Sequence, residues 1–366
     1  MTTCGSLLWV TNIPTPYRTP LWAEIASRHA LRVALLADTE PNREWTTDLR
    51  EDRYGVTRLR APVLARPRDT TIYGPSARLL RLIARRPCAV VLDGWESPAY
   101  LLALWWARRL RVPVVASYRS TLSTHRFDSG PVATLRRRFL GSATTVLTAG
   151  AASTAAVQAM GIPETRIVEG FNTVDVTRLA EGAAAARSST LDAGPGHHFL
   201  YVGQLIGRKN VDGLLRAFAA VHAPDDSLTV VGTGPLDEDL RKLAAELGVT
   251  SEVRFAGHLD GDALVAAYAA AHTLVLPSHE EVWGLVANEG LSAGLHAVVS
   301  DRCGITPSVA GMPGVIVTPP AVAELTAALR SSRETWTGWI ADHPLTSHTT
   351  ASLAEVVVDA AHRQPA

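Results

Sequence analysis

A doubly wound α/β fold is predicted for this chain from three observations. Short apolar runs rich in Val and Leu alternate with longer amphipathic segments, the pattern of β-α-β units around a parallel sheet covered on both faces. Several of the longer segments open on Pro or Ser, which a first helical turn tolerates. The alternation also comes in two series, parted by a stretch of Ala, Gly, Ser and Arg from Glu181 to His198 that has little periodicity.

Taken in order, the first series places strands near Leu7 to Thr11, Arg32 to Ala37, Ala89 to Leu92, Val112 to Ala116 and Thr144 to Leu147. Helices over Pro20 to Arg28, Pro75 to Arg86, Pro98 to Leu110 and Ser153 to Met160 fill the gaps. The second series has strands near Phe199 to Val202, Leu228 to Val231, Val253 to Ala256, Thr273 to Leu276, Ala297 to Ser300 and Gly314 to Val317, each followed by a helical pattern. A boundary near residue 185 is expected, giving domains 1–185 and 186–349, with a last helix near Ala351 to His362 that returns to the first domain.

A length of 366 residues fits two domains of ordinary size. With 47% hydrophobic and 19% charged residues, the composition excludes a disordered, collagenous or coiled-coil protein. Cys4, Cys88 and Cys303 are odd in number and far apart, so neither a disulfide scaffold nor a zinc-type spacing is expected, and a reducing cytoplasm fits best. The best candidate for a membrane span, Leu101 to Ala107, meets Arg108 and Arg109 well short of the length needed. No signal peptide is expected, because Leu7 to Val10 is soon followed by Asn12 and two prolines.

The formal net charge of +0 conceals an asymmetry. Residues 1–180 contain 24 Arg and 14 Asp plus Glu, which leaves 11 basic and 21 acidic residues for the remainder. A basic first half suits an anionic substrate, lipid headgroups or the partner domain. The same charges also describe ordinary solvated faces. No nucleic-acid partner is expected, and oligomeric state is not legible.

Three segments carry chemistry. PSHEEVWGLVANEGLSAG, from Pro277 to Gly294, follows a strand, passes through a loop ending at Trp283 and Gly284, and enters a helix near Leu285. Glu281 falls in the loop and Glu289 inside the helix, while the N–H groups of Gly284, Leu285 and Val286 form a helix start suited to a diphosphate. Alone, such a glutamate pair also describes a solvated face. YVGQLIGRKN, from Tyr201 to Asn210, carries Arg208 and Lys209 in a loop before a helix, where cations would neutralise charge on a departing phosphate. VVGTGP, from Val230 to Pro235, ends a strand with Gly232 and Gly234, which admit a ligand close to the backbone or simply open a helix.

In this order, the segments VGQL, RKN, VVGTGP, VRFAGHL, LVLPS and EVWGLVANEGLSAG resemble the C-terminal domain of the retaining glycosyltransferases of family 4. The resemblance is strong from Phe199 to Cys303 and weaker through NIPTPYRTPLW (Asn12 to Trp22), GIPETRI (Gly161 to Ile167) and NTVD (Asn172 to Asp175). It implies the GT-B fold, two facing Rossmann-like doubly wound domains with a ligand cleft between them. It also implies a nucleoside diphosphate sugar as donor substrate, no other cofactor and no metal.

Carried over by that resemblance, Glu281 holds hydroxyls of the donor sugar, Glu289 the ribose and Lys209 the diphosphate. Gly232, Gly234, Pro235, Ala256, Gly257 and His258 line the base pocket, and Trp283, Gly284 and Leu285 lie at the phosphate-binding helix start. Gln204 stands where the family usually has an Arg, and Arg208 is the neighbouring cation available to replace it. On the acceptor side the candidates are Pro16, Tyr17 and Arg18 after the first strand, Trp95 and Glu96, which also read as a buried Trp and a helix-opening Glu, and Arg119. Tyr118, Arg119, Ser120 and His125 lie where relatives often place a polar residue or His against the donor sugar. His125 is placed against the donor sugar.

The expected activity is metal-independent sugar transfer with retention to a small-molecule acceptor such as a natural-product intermediate. Alternatives are a lipid-linked or polysaccharide acceptor with peripheral membrane contact, a sugar-nucleotide epimerase or hydrolase, and a non-catalytic sugar-nucleotide-binding subunit. GLSAG at Gly290 to Gly294 matches a nucleophile motif but has its helix on the wrong side of Ser292. Asp260 and Asp262 suit helix capping better than a metal. Arg136 to Arg138, with Arg81, Arg85 and Arg86, read as solvated helix faces or lipid contacts.

Overall fold

The computed structural model describes residues 6–40, 47, 49–66, 70–189 and 196–363. Cys4 lies outside them, as does part of the expected connection from Glu181 to His198. Contacts divide the chain into two units, residues 1–172 with 350–366 and residues 173–349.

The first unit begins with β1 (Leu7–Thr11), α1 (Thr19–Arg28), β2 (Leu31–Leu35), β3 (Gly55–Arg58), the short strands β4 (Val63–Ala65) and β5 (Ile72–Tyr73), and α2 (Ala77–Ala84). It continues through β6 (Ala89–Leu92), α3 (Pro98–Arg109), β7 (Val114–Tyr118), α4 (Gly130–Ser142), β8 (Thr145–Thr148), α5 (Ala151–Ala159) and β9 (Ile167–Glu169). Its main sheet is parallel throughout, in the order β3-β2-β1-β6-β7-β8-β9. All five residues of β1 are buried because successive side chains serve opposite faces. Leu8 and Val10 join Tyr100 and Ala103 of α3, whereas Leu7 and Trp9 pack with Trp22 and Ile25 of α1. Each such aliphatic burial contributes about 1.5–3 kcal/mol.

The second unit comprises α6 (Val176–Ser189), β10 (His198–Val202), α7 (Val211–Val221), β11 (Ser227–Val231), α8 (Asp237–Glu246), β12 (Val253–Gly257) and α9 (Gly261–Ala270). It then adds β13 (Thr273–Leu276), α10 (Leu285–Ser292), β14 (His296–Ser300), α11 (Thr306–Val309), β15 (Val315–Thr318) and α12 (Val322–Thr335). Its parallel sheet runs β12-β11-β10-β13-β14-β15, so the order reverses beside β10, the position where such sheets bind ligands. The last helix, α13 (Thr350–His362), packs in the first unit, where Leu353, Val357 and Ala361 bury against the β1 and α1 layer.

The boundary expected near residue 185 falls inside α6, and the division lies between Asn172 and Thr173. The physical reason is the alanine run: small side chains leave no apolar periodicity, yet alanine is the strongest helix former. Small residues also let α6 approach α9, and a β-carbon at Gly182 would lie 2.9 Å from Val265 Cγ1. Of the cysteines, Cys88 is disulfide-bonded, against the expectation of dispersed thiols, and Cys303 is free and buried. No helix among the described residues is long and apolar enough to cross a membrane.

Candidate functional site

In the second unit, the loops leaving β10, β11 and β12 are joined through their backbones. Gly203 N donates to Val231 O (3.0 Å), Leu205 N to Thr233 O (2.9 Å) and Gly232 N to Gly257 O (2.7 Å). Gly232 holds φ +133, and a β-carbon there would overlap the carbonyl oxygen of Gly203; one at Gly234 would overlap that of Leu205. Both glycines are therefore required by loop against loop, a role the sequence reading did not give them. Gln204, Pro235 and His258 are exposed, and Ala256 and Gly257 are half-buried.

Asn210, buried in a left-handed conformation at the start of α7, donates through Nδ2 to the carbonyls of Pro277 (3.0 Å) and Pro320 (2.8 Å). Arg208 O accepts from His279 N (2.9 Å). These bonds draw the loop after β10 onto the loop after β13, and Lys209 Nζ forms an ion pair with the Glu281 carboxylate. Each of the two side chains is 13% exposed. The Glu281 backbone is pinned as well, its carbonyl accepting from Gly304 N (3.0 Å), while Trp283 O accepts from Ile305 N (2.9 Å). Arg208 keeps an exposed side chain beside this pair.

Gly284 (φ +105) then turns the chain into α10, where a β-carbon would lie 2.7 Å from Leu276 Cδ2. The Trp283 indole, buried beneath the turn, donates from Nε1 to Asn288 Oδ1 (3.0 Å). The first N–H groups of α10, beginning with Leu285, have no intrahelical acceptor. Within that helix, Glu289 is half-buried and accepts at Oε2 from the hydroxyl of Tyr268 (2.5 Å). Burial raises the Glu289 carboxyl to about 6, opposed by the Tyr268 hydrogen bond. The Tyr268 hydroxyl, itself fully buried, is pushed well above its ordinary value by desolvation and then by Glu289.

In the first unit a second polar cluster occupies the carboxyl ends of β1, β6 and β7. Asp93, directly after β6, pairs with Arg119 and lies 3.9 Å from Arg18, and Thr11 Oγ1 donates to its Oδ2 (3.3 Å). Arg18 is only 7% exposed, flanked by the rings of Trp9 and Tyr17 at 5.8 Å each. Burial, followed by repulsion from Arg119, lowers its pKa to about 10. Glu96 accepts from the backbone N–H of Trp95 (3.0 Å), and burial lifts its carboxyl above the ordinary range. Asn12 Oδ1 accepts from the Tyr100 hydroxyl (2.7 Å).

Of the acceptor-side candidates, Arg18 and Arg119 thus converge on Asp93, while Pro16 is exposed and Tyr17 half-buried. His125 hydrogen-bonds to the Tyr118 hydroxyl (2.6 Å), and its pKa is lowered by burial and then by Arg136. Arg136 departs from the solvated or lipid-facing role expected of it. It is buried, donates to Phe127 O (2.9 Å) and lies over the Trp95 ring.

Ser292 belongs to α10, and Asp260 occupies the N-cap position of α9 with its side chain exposed. Among the described residues no group of three or more His, Cys, Asp or Glu is arranged to hold a metal. Sequence reasoning missed Asp93, Asn210 and Tyr268. Asp93 had a signal, an acid immediately after the apolar run Ala-Val-Val-Leu; Tyr268 had none, since an aromatic residue in an apolar helix reads as core.

Comparison with known proteins agrees with this architecture. The family model for glycosyl transferases group 1 matches residues 186–335, and that for the glycosyl transferase 4-like domain matches residues 14–169. The chain is 36% identical over 174 residues to a glycogen synthase of Mycobacterium tuberculosis, covering 47% of this chain and 40% of that protein, so it spans well under half the length of that relative. It is 29% identical over 276 residues to a GDP-mannose-dependent alpha-(1-6)-phosphatidylinositol monomannoside mannosyltransferase of Mycolicibacterium smegmatis, covering 73% and 69% respectively. Among solved structures, Anabaena HepE in complex with UDP superposes with a TM-score of 0.69 at 17% identity, over 98% of this chain and 95% of that one. At that identity the likeness shows the fold, two Rossmann-like units of the GT-B type.

Proposed function

We propose, from the premise that the chain belongs to the glycosyltransferases of family 4, that it moves a sugar from a nucleoside diphosphate sugar to a hydroxyl of a small-molecule acceptor with retention at the anomeric carbon. The observation that carries this reading is the pairing of Lys209 with Glu281 beside the start of α10 in the second unit. A diphosphate arriving there competes for Lys209 and draws on the free N–H groups of the helix start. Glu281, relieved of its cation, is then free to accept hydrogen bonds from hydroxyls of the donor sugar. Glu289 takes the ribose hydroxyls, with Tyr268 holding its carboxylate in place. The base lies along Gly232, Gly234, Pro235, Ala256, Gly257 and His258.

In the transition state, positive charge builds on the sugar and negative charge on the departing diphosphate. Lys209, Arg208 and the first N–H groups of α10 neutralise the departing charge without a metal, and the diphosphate oxygen takes the acceptor proton. Gln204 contributes no charge, so Arg208 carries the second cationic role. The mannosyltransferase relative, named for a phosphatidylinositol-linked acceptor, gives a lipid-linked acceptor weight as the second reading.

The test is calorimetry of the purified protein with UDP, GDP, dTDP and their sugars, with and without chelator, repeated on Glu289→Gln and Lys209→Met. Selective binding that resists chelator and weakens at least about tenfold in both variants is expected. Nuclear magnetic resonance of the product fixes the anomeric configuration. Absence of nucleotide binding, or equal binding by both variants, refutes the site.

A further inference from the structure

We propose that the cluster of Arg18, Arg119 and Asp93 in the first unit is a subsite for an anionic group, a phosphate ester or carboxylate, carried by the acceptor. The inference rests on the reading of the chain as a transferase and names the chemistry of its acceptor. It begins with an unmet requirement. A guanidinium presents five N–H donors, and burying one without partners is costly. Arg18 is 7% exposed, yet among the described residues its guanidinium makes no hydrogen bond; the one carboxylate paired with it there, Asp93, stands 3.9 Å away, and its Nε is fully buried and unpartnered.

The Asp93 carboxylate is already committed, to Arg119 through Oδ1 and to the Thr11 hydroxyl through Oδ2. Arg119 Nε is likewise buried and unpartnered, although 29% of that side chain is exposed, so the pair is reached from solvent through Arg119. The other acid in electrostatic reach, Glu96, forms no ion pair with either arginine and is turned to the backbone N–H of Trp95. Two guanidiniums therefore share one carboxylate and retain unused donors, and a further anion supplies what is missing. The cluster stands at the carboxyl ends of β1, β6 and β7, the end of a parallel sheet where ligands bind. Trp9 and Tyr17 close two sides with ring faces, which hold a cation without competing for its N–H groups.

The experiment uses full-length protein saturated with whichever of UDP, GDP or dTDP binds tightest, so that the donor diphosphate site is filled. Inorganic phosphate and glucose 6-phosphate are titrated against glucose, in the parent and in Arg119→Met, Arg119→Lys and Arg18→Met. The expected result is protection by both phosphates but not by glucose, weakened about tenfold or more in Arg119→Met and partly restored in Arg119→Lys. Nucleoside diphosphate affinity stays within about twofold of the parent in the Arg119 variants. Circular dichroism and melting temperature screen each variant for folding, and Arg119→Lys keeps the test decisive if Arg18→Met fails to fold.

A soluble phosphate ester and a lipid headgroup carry the same group. Retention on phosphatidylglycerol vesicles that is lost in Arg119→Met assigns the source to a lipid, and its absence alongside phosphate protection assigns it to a soluble acceptor. No phosphate protection in nucleotide-saturated parent overturns the proposal while leaving the donor site standing. Equal loss of nucleoside diphosphate affinity in Arg119→Met also overturns it, because the anion bound would then be the donor's. Failure of the parent to bind any nucleotide refutes the transferase reading itself, which separates the two failures.

Discussion

Replacing Tyr268 by Phe removes one oxygen and, with it, the hydroxyl that donates to the Glu289 carboxylate at 2.5 Å. With the Glu289 carboxyl at about 6, ionised and neutral forms stand at about 10:1 at pH 7. A hydrogen bond to a charged group is worth about 1.5–3 kcal/mol, and one pKa unit is about 1.4 kcal/mol, so losing the Tyr268 donor raises that carboxyl by about one to two units. At pH 7 the ionised fraction then drops to between about one half and one tenth. If ribose hydroxyls are held by the ionised form, nucleoside diphosphate affinity at pH 7 weakens by about two- to tenfold in Tyr268→Phe and returns near the parent value at pH 9. In the parent, affinity falls as pH drops below about 6, by about tenfold per unit. Calorimetric titration from pH 5.5 to 9, in two buffers of different ionisation enthalpy, measures both affinity and proton release. The reasoning would be refuted by an affinity that is flat across pH 6 in the parent, or by a loss in Tyr268→Phe that high pH does not restore.

Three further outcomes are expected. Gly232→Ala, which forces a β-carbon into the Gly203 carbonyl, costs about 3 kcal/mol or more in chemical denaturation, whereas Gly207→Ala, with open space around it, changes stability by less than about 0.5 kcal/mol. Lys209→Met and Glu281→Gln each leave a largely buried charge unpaired and lose about 2–3 kcal/mol, and the double variant recovers most of that stability but no sugar transfer; full additivity of the two losses would contradict the pairing. His197 and His272 are held neutral by burial, at about 3 and about 4, so the unfolded chain takes up protons first as pH falls. Their contribution is present above about pH 6.5 and is lost toward pH 4 at about 1.4 kcal/mol per pH unit per group, a slope that His197→Gln should flatten in melts at stepped pH.

Central strands were legible because they are buried on both faces and so spell continuous apolar runs. Leu7–Thr11, Ala89–Leu92 and Thr273–Leu276 have the bounds the sequence predicts. The edges of the first sheet were not: Gly55–Arg58 and Ile167–Glu169 are short, partly solvated and carry charged residues, so no periodicity marks them, whereas the edges of the second sheet, Val253–Gly257 and Val315–Thr318, keep enough apolar residues to be read within a residue or so. The loops after β10, β11 and β13 were legible as motifs, yet what the motif residues touch was not. That Lys209 bonds to Glu281, or that Gly232 serves the Gly203 carbonyl, depends on neighbours distant in the chain. The Arg18, Arg119 and Asp93 cluster shows the same limit, since its members come from three separate strand ends and only the sheet order β1-β6-β7 makes them neighbours.

The placement of α13 bears on the order in which the protein is made. Residues 173–349 form a unit of one continuous segment, whereas the first unit needs residues 350–362 to cover Leu7, Trp22 and Ile25. During synthesis, the later unit therefore has all its parts first, and the earlier one waits with the α13 side of that apolar layer uncovered while some 180 residues are added, on the order of ten to forty seconds at ordinary elongation rates. Truncation after residue 349 is therefore expected to send the first unit, rather than the second, into aggregates, which sedimentation of the truncated chain would measure.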